Sequence, residues 1–153
     1  MSSPPETDRE YAYFRAIGVG DVKQIDQAMN LSGSEFWNVG DTFQPRDIVF
    51  TRKSSCWQLD SGHDDKEDLE KHVEALLSKL SSKVEVLRSI SSEFQLQIVC
   101  VSFTYQSFSF ELPFELQRRA TNLGISFWFD FYPFGDIHEE IVALREELGR
   151  SST

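Results

Sequence analysis

The side chains best suited to catalysis are two cysteines and three histidines: Cys56, Cys100, His63, His72 and His138. Each cysteine lies in an apolar, strand-like segment, where an unpaired cysteine is usually a buried, reduced thiol. His63 precedes two aspartates in a polar stretch, but no second pair of ligands has the spacing of a metal site. His72 is expected to face solvent from a helix. His138 falls in the first turn of the last predicted helix, where the helix dipole disfavours an imidazolium.

Motifs with a known catalytic mechanism do not occur in the sequence. It has no phosphate-binding glycine loop, no nucleophile elbow and no His-Glu-x-x-His. A Cys–His pair would have to be brought together in space rather than in sequence. The sequence therefore predicts no catalytic residues, no metal and no cofactor, and an enzyme stays open only as an alternative.

The segment 125–132 combines aromatic side chains with a carboxylate in strict alternation. Because successive side chains of a strand point to opposite faces, Trp128, Asp130 and Tyr132 share one face, and the apolar odd-numbered residues are expected to meet the helices. Trp and Tyr are enriched at binding hot spots, so these three residues are predicted to bind a partner. The alternative is that the last helix or the loop 31–46 folds over this face and buries it.

Acidic residues are concentrated between positions 60 and 74, where seven acids stand against two lysines. One interpretation is a solvated helix whose acids favour its N-terminus. The other is an acidic patch that attracts a basic partner and speeds its association. The predicted partner-binding residues of this segment are Asp64, Asp65, Asp68 and Glu70.

The whole chain of 153 residues is acidic, with 25 acids, 15 bases and a formal net charge of −10. Such a charge repels nucleic-acid phosphates and anionic membranes, because affinity for both rests on Lys and Arg. No stretch approaches the ~20 apolar residues that cross a bilayer, and the N-terminus lacks the pattern of a signal peptide. We therefore expect a cytoplasmic protein with neither nucleic acid nor membrane as a partner.

Two further tryptophans suggest a second kind of site. Trp37, Trp57 and Asp41 are candidates for the lining of a small-molecule pocket. The alternative is that both indoles close the hydrophobic core, in which case their N–H groups need acceptors such as Asp41 or Asp130.

Hydrophobic periodicity predicts the order β-α-β-β-α-β-(β)-α-β-α. The 48–51 and 55–59 strands are expected to form a hairpin, and Ser81-Ser82 is expected to interrupt the longest helix. The predicted elements are a strand at 11–18, a helix at 21–30, a loop at 31–46, strands at 48–51 and 55–59, a helix at 65–92, a strand at 95–105, its continuation or partner at 108–112, a helix beginning at Pro113, a strand at 125–132 and a helix at 136–149.

This order predicts an α+β fold of ferredoxin-like, split βαβ arrangement. The sheet is expected to be mostly antiparallel, with helices packed on one face and an extra C-terminal helix. A single domain is predicted at 11–149, between a disordered lead-in at 1–10 and a flexible C-terminus at 150–153.

An ordered set of motifs resembles a known family. It comprises Phe36-Trp37-x-x-Gly40-Asp41, Cys56-Trp57-Gln58-Leu59, the helix run from Leu69 to Leu77, and Leu116-x6-Leu123-Gly124-Ile125 followed by Asp130-x-Tyr132. Over residues 11–132 the chain is similar to the bacterial domain-of-unknown-function family 4279. The resemblance implies a small cytoplasmic protein without an established activity. For some members, genomic association suggests an antitoxin or immunity role.

The favoured functional hypothesis is a non-catalytic protein-binding module of immunity or antitoxin type, which masks a basic protein partner such as a toxin. The alternative is a ligand-sensing domain with a pocket lined by Trp37 and Trp57. A homodimer, formed through an exposed strand edge or the terminal helix, is an independent prediction.

Overall fold

The computed structural model describes residues 8–105, 108–133 and 144–149. Residues 144–149 are helical, whereas the first part of the predicted helix 136–149 lies outside the described residues. The strands are β1 (Arg9–Gly18), β2 (Glu35–Trp37), β3 (Thr42–Phe43), β4 (Phe50–Thr51), β5 (Ser55–Asp60), β6 (Phe94–Thr104) and β7 (Ser126–Pro133). The other helices are α1 (Val22–Met29), α2 (Leu69–Leu80), α3 (Val84–Ile90) and α4 (Phe114–Asn122).

Five strands form one mixed sheet in the order β2-β5-β1-β6-β7. The pairs β1–β5, β1–β6 and β2–β5 are antiparallel, and β6–β7 is parallel. Strand β5 lies between β1 and β2, and β1 lies between β5 and β6, so two split βαβ units interlock. This is the predicted ferredoxin-like arrangement. Helix α4 then carries the chain across to β7, because parallel neighbours need a crossover connection.

The core lies between the sheet and the helices α1 to α4. Alternation in β1 turns Ala12, Phe14 and Ala16 toward these helices, and the ring of Phe14 meets Trp57 edge-on at 6.1 Å. All four helices place apolar residues in this one cluster. The prediction that helices pack on one face of the sheet is confirmed. None of the helices in the described part of the chain is long and apolar enough to cross a membrane.

The region 31–51 differs from the predicted loop and hairpin. Strand β2 lies within the predicted loop and forms the edge beside β5. Strands β3 and β4 pair with each other in a separate two-stranded sheet, so the predicted pairing of 48–51 with 55–59 is wrong. The rings of Phe43 and Phe50 stack at 5.4 Å across this small sheet. A two-residue strand has too few positions for alternation to reveal its partner.

The predicted helix 65–92 is divided into three parts. Helix α2 ends at Leu80, a 3-10 turn covers Ser81–Lys83, and α3 follows. The interruption at Ser81-Ser82 is therefore confirmed. The expectation that His72 faces solvent is wrong, because its side chain is fully buried on the same side of α2 as Leu69 and Val73.

The segment 108–112 is not a strand in the structure. Its aromatic residues instead pack on the helix side of β7, where Phe108 meets Phe131 at 5.1 Å and Phe110 meets Phe129 at 6.3 Å. Alternation here arises from side chains lying against a strand rather than from a strand. Pro113 takes the N-cap position of α4.

Candidate functional site

The sheet face opposite α1 to α4 carries large aromatic residues. The odd-numbered residues of β1 point to this face, and the strand registers place them beside Phe103 of β6 and Trp128 and Tyr132 of β7. Trp128 and Tyr132 remain 47% and 44% exposed. We call this surface the aromatic face, defined by Tyr11, Tyr13, Phe103, Trp128 and Tyr132.

Four rings of the aromatic face form a continuous stack across three strands. Tyr13 and Tyr11 lie 6.4 Å apart, Tyr11 and Phe103 are also 6.4 Å apart, and Phe103 and Tyr132 meet at 5.0 Å with an interplanar angle of 15°. Burial raises the pKa of the Tyr11 and Tyr13 phenols, so both stay neutral hydrogen-bonding groups near pH 7. The stack is therefore an apolar surface with neutral polar tips.

Trp128 is held between an acceptor and a cation. Its indole Nε1 donates to Asp130 Oδ1 at 2.9 Å, two residues along the same face of β7. The Arg15 guanidinium lies 5.3 Å from the Trp128 ring centroid, and Arg15 Nε donates to Gln97 Oε1 at 2.7 Å. These contacts orient the indole before any partner arrives, which lowers the entropy that binding must overcome.

Arg9 connects the aromatic face to the acidic segment. Its guanidinium lies 5.1 Å from the Phe103 ring centroid, and its Nε is 2.7 Å from Asp65 Oδ2. Phe103 stacks on Tyr132. Asp65 and Tyr132 belong to two binding surfaces that were predicted separately. The guanidinium of Arg9 and the ring of Phe103 link these two residues.

The start of α2 forms an open, acidic hollow of about 540 Å³. We call it the acidic depression; it is lined by His63, Glu67, Asp68, Glu70, Lys71, Glu74 and Ala75. Lys71 pairs with Glu67 at 2.9 Å, which raises the pKa of Lys71. Neither Asp68 nor Glu70 takes part in the ion pairs found among the described residues. Asp64 is engaged locally, since its Oδ1 accepts from the backbone N–H of Lys66.

The three residues of the predicted ligand pocket do not share a cavity. Trp57 is fully buried in the core, whereas Trp37 pairs with Cys56 in β5 and points to the opposite face of the sheet. Arg52 lies 3.9 Å from the Trp37 ring centroid. Asp41 Oδ2 accepts from the backbone N–H of Asn38.

The residue that accepts the hydrogen bond of the buried Trp57 indole is also not one of those predicted. Trp57 Nε1 donates to Asp26 Oδ1 at 3.1 Å, and the same oxygen accepts from the backbone N–H of Gly33 at 3.0 Å. These two hydrogen bonds, from Gly33 and from Trp57, lower the pKa of Asp26. Asp130 instead serves Trp128.

His72, Cys56 and Cys100 lie inside the fold, whereas His63 is exposed at the acidic depression. The Nδ1 atom of buried His72 is 2.6 Å from the Oγ of buried Ser61, and burial lowers the pKa of His72. Burial raises the pKa of both thiols, that of Cys100 to about 12. Within the described ranges no three His, Cys, Asp or Glu residues could hold a metal ion, and His138 lies outside these ranges.

The fold and this surface define a small α+β domain with one parallel strand added to a ferredoxin-like core and a stacked aromatic sheet face. The chain belongs to the family described as Domain of unknown function (DUF4279), whose model matches residues 8–134. The match spans β1 to β7 and confirms the resemblance. Comparisons with curated proteins and with solved structures find no significant match.

Sequence reasoning overlooked the contribution of β1 and β6 to this face. Arg9, Tyr11, Tyr13 and Arg15 alternate with the small or apolar residues that β1 turns inward. That alternation is visible in the sequence. The positions of these residues beside Phe103 follow only from the strand order.

Proposed function

We propose that the protein is a cytoplasmic, non-catalytic binding module of immunity or antitoxin type, which masks a basic protein partner with its aromatic face and acidic depression. The observation that carries the proposal is the contact of Arg9 with both Asp65 and Phe103, which joins the aromatic face to the acidic segment that precedes α2. An interface with rigid aromatic anchors beside carboxylates suits a partner rich in Lys and Arg.

The charges around the aromatic face support a basic partner. Glu35, Asp60 and Asp130 share this side of the sheet with Arg9 and Arg15, and Arg52 reaches it over the ring of Trp37. The charge of Arg9 is offset by Asp65. Together with the net charge of −10, this leaves an acidic surface that steers a cationic protein toward the aromatic residues.

A non-catalytic role is supported by the state of the candidate nucleophiles. A thiol acts as a nucleophile in its thiolate form, and the raised pKa values of Cys56 and Cys100 disfavour that form. Ser61 Oγ and His72 Nδ1 pair with each other while both residues are buried, which suits packing better than attack on a substrate.

The test uses the full chain as bait in its native host, followed by titration of each purified partner. We expect Trp128→Ala to weaken the affinity for a basic partner about 10- to 100-fold, as the loss of a hot-spot aromatic does. Phe114→Ala is the matched control, because Phe114 is 75% exposed on α4 and faces away from the aromatic face.

Two results would overturn the proposal. One is that Trp128→Ala and Phe114→Ala bind the partner equally well. The other is that the recovered partner is acidic and its binding does not weaken as salt is added, because screening reduces attraction between exposed opposite charges.

A further inference from the structure

Among the described residues, strand β7 is an edge of the sheet with few of the features that usually protect one. In the described chain it pairs with β6 alone, so half of its backbone N–H and C=O groups point away from the sheet. The edge strands of natural sheets commonly carry a lysine, a proline or a bulge, which prevents them from pairing with an edge strand of another molecule. Over its eight residues β7 has a single charge, Asp130, and its proline comes last, at position 133.

Both faces of this edge carry exposed aromatic residues. Trp128 and Tyr132 lie on one face, and Phe129 and Phe131 lie on the other, each between 44% and 47% exposed. On the helix side an apolar groove of about 300 Å³ runs along the strand. The edge therefore combines unpaired backbone groups with apolar area on both sides.

The sequence of β7 is complementary to itself. In an antiparallel pair centred on Phe129, each Phe127 lies opposite Phe131 of a second copy. Each Trp128 then lies opposite Asp130, so the two carboxylates do not face each other. An antiparallel pair keeps even-numbered residues on one face and odd-numbered residues on the other, and the aromatic face continues across the junction.

The apolar area is of the right order for a second copy. A buried aromatic side chain covers about 150–250 Å², so four that are nearly half exposed present about 300–450 Å² per copy. This is roughly half of the ~800 Å² that each partner contributes to a stable interface, and the strand backbone and the groove add to it.

We propose that two copies of the chain associate through β7 in this antiparallel register and form one continuous ten-stranded sheet. The proposal is independent of the basic partner, and the two associations respond to salt in opposite directions. Two copies of net charge −10 repel each other, so added salt is expected to strengthen the dimer. The same salt is expected to weaken the binding of a cationic protein.

Disulfide trapping in the purified full-length chain tests the register. In antiparallel pairs, directly opposed Cα atoms are about 4.5–5.5 Å apart, within the ~4.4–6.8 Å that a disulfide spans. We expect Phe129→Cys to form a covalent dimer under mild oxidation. Phe114→Cys is the control, since Phe114 is equally apolar, more exposed and lies on α4 rather than on β7. The native Cys56 and Cys100 are buried and do not interfere.

A concentration series in sedimentation equilibrium supplies the second readout. We expect wild type to dimerise. We expect Phe131→Lys to raise the dissociation constant of the dimer at least 10-fold and to leave the circular dichroism spectrum unchanged. A wild type that stays monomeric throughout would overturn the proposal. So would equal cross-linking of the Phe129→Cys and Phe114→Cys variants, or an absence of cross-linking in a folded Phe129→Cys variant.

Discussion

A single carboxylate on α1 joins three parts of the molecule. Asp26 accepts hydrogen bonds from the indole of Trp57 in β5 and from the backbone N–H of Gly33 in the α1–β2 connection. A buried N–H without an acceptor costs about 1–3 kcal/mol. Gly33 is required at this contact, because an added Cβ would lie 2.5 Å from Trp57 Nε1. The Asp26 carboxylate therefore holds α1, the α1–β2 connection and β5 together.

His72 makes the stability of the fold depend on pH. Burial lowers its pKa, so below about pH 6.5 the unfolded chain takes up a proton that the folded chain does not. We expect the free energy of unfolding to fall as the pH is lowered from 6.5, by at most about 1.4 kcal/mol per pH unit. Denaturant unfolding between about pH 7 and 5, where Asp and Glu stay mostly ionised, measures this slope.

The control for this prediction is His72→Gln, which keeps a polar partner for Ser61 but does not titrate. Its unfolding free energy is expected to be lower at pH 7 and to vary less between pH 7 and 5. The ring of His63 packs edge-on against His72 at 5.8 Å, and both proteins contain His63. If the unfolding free energies of wild type and His72→Gln change equally with pH, groups other than His72 cause the pH dependence.

Residue-scale prediction from the sequence succeeded where local pattern decides and failed where distant packing decides. Alternation in 125–132 placed Trp128, Asp130 and Tyr132 on one face. No local pattern indicates that Asp26 serves Trp57, because 31 positions separate them. The burial of His72 was missed although its spacing, three residues after Leu69 and four before Leu76, places it on the buried face of α2.

At the scale of elements, a side chain of strand β1 caps the N-terminus of helix α2. Glu10 Oε2 of β1 accepts from the backbone N–H of Leu69 at 2.9 Å, whereas Asp68 occupies the N-cap position without a side-chain cap bond. The backbone N–H of Glu10 also donates to the carbonyl of Asp65. Strand β1 therefore determines where the helix begins, and Asp65, Glu67 and Asp68 precede α2 instead of forming its first turn.

We expect Glu10→Ala to lower the free energy of unfolding by about 0.5–2 kcal/mol, the usual cost of losing a helix cap. Asp68→Ala is the matched control, and its loss is expected to be smaller because its side chain caps nothing. Chemical denaturation of the three proteins at pH 7 gives the comparison. A larger loss for Asp68→Ala would mean that the helix is capped from its own sequence position.

Periodicity predicted the long elements well because each repeats its pattern several times. Strand β6 has eleven residues and β1 has ten, and both lie close to their predicted limits. Strands β3 and β4 have two residues each, and their pairing depends on the contacts of Phe43, Phe50 and Arg52. The strand order that unites β1, β6 and β7 into the aromatic face is a property of the complete chain.

At the scale of the whole molecule, the net charge of −10 is unevenly distributed. The acidic depression lies at the start of α2, and Asp65 joins this region to the aromatic face through Arg9. The edge of β7 carries one charge. The protein thus has one surface where electrostatic attraction dominates and one edge where apolar area and backbone pairing dominate, and the two are suited to different partners.

Charge reversal separates the effect of the acidic residues around the start of α2 from that of the net charge. Steering by charge acts mainly on the association rate. We therefore expect each of four single variants to slow association with a basic partner: Asp64→Lys, Asp65→Lys, Asp68→Lys and Glu70→Lys. Their combination is expected to slow association at least 10-fold at low salt. Glu85→Lys is the control: Glu85 is 87% exposed on α3, has only a 3.6 Å pair with Arg88, and changes the net charge equally. Stopped-flow association at two ionic strengths measures both effects. If Glu85→Lys slows association as much as Asp68→Lys, the total charge is responsible and the acidic residues around the start of α2 are not the surface that meets the partner.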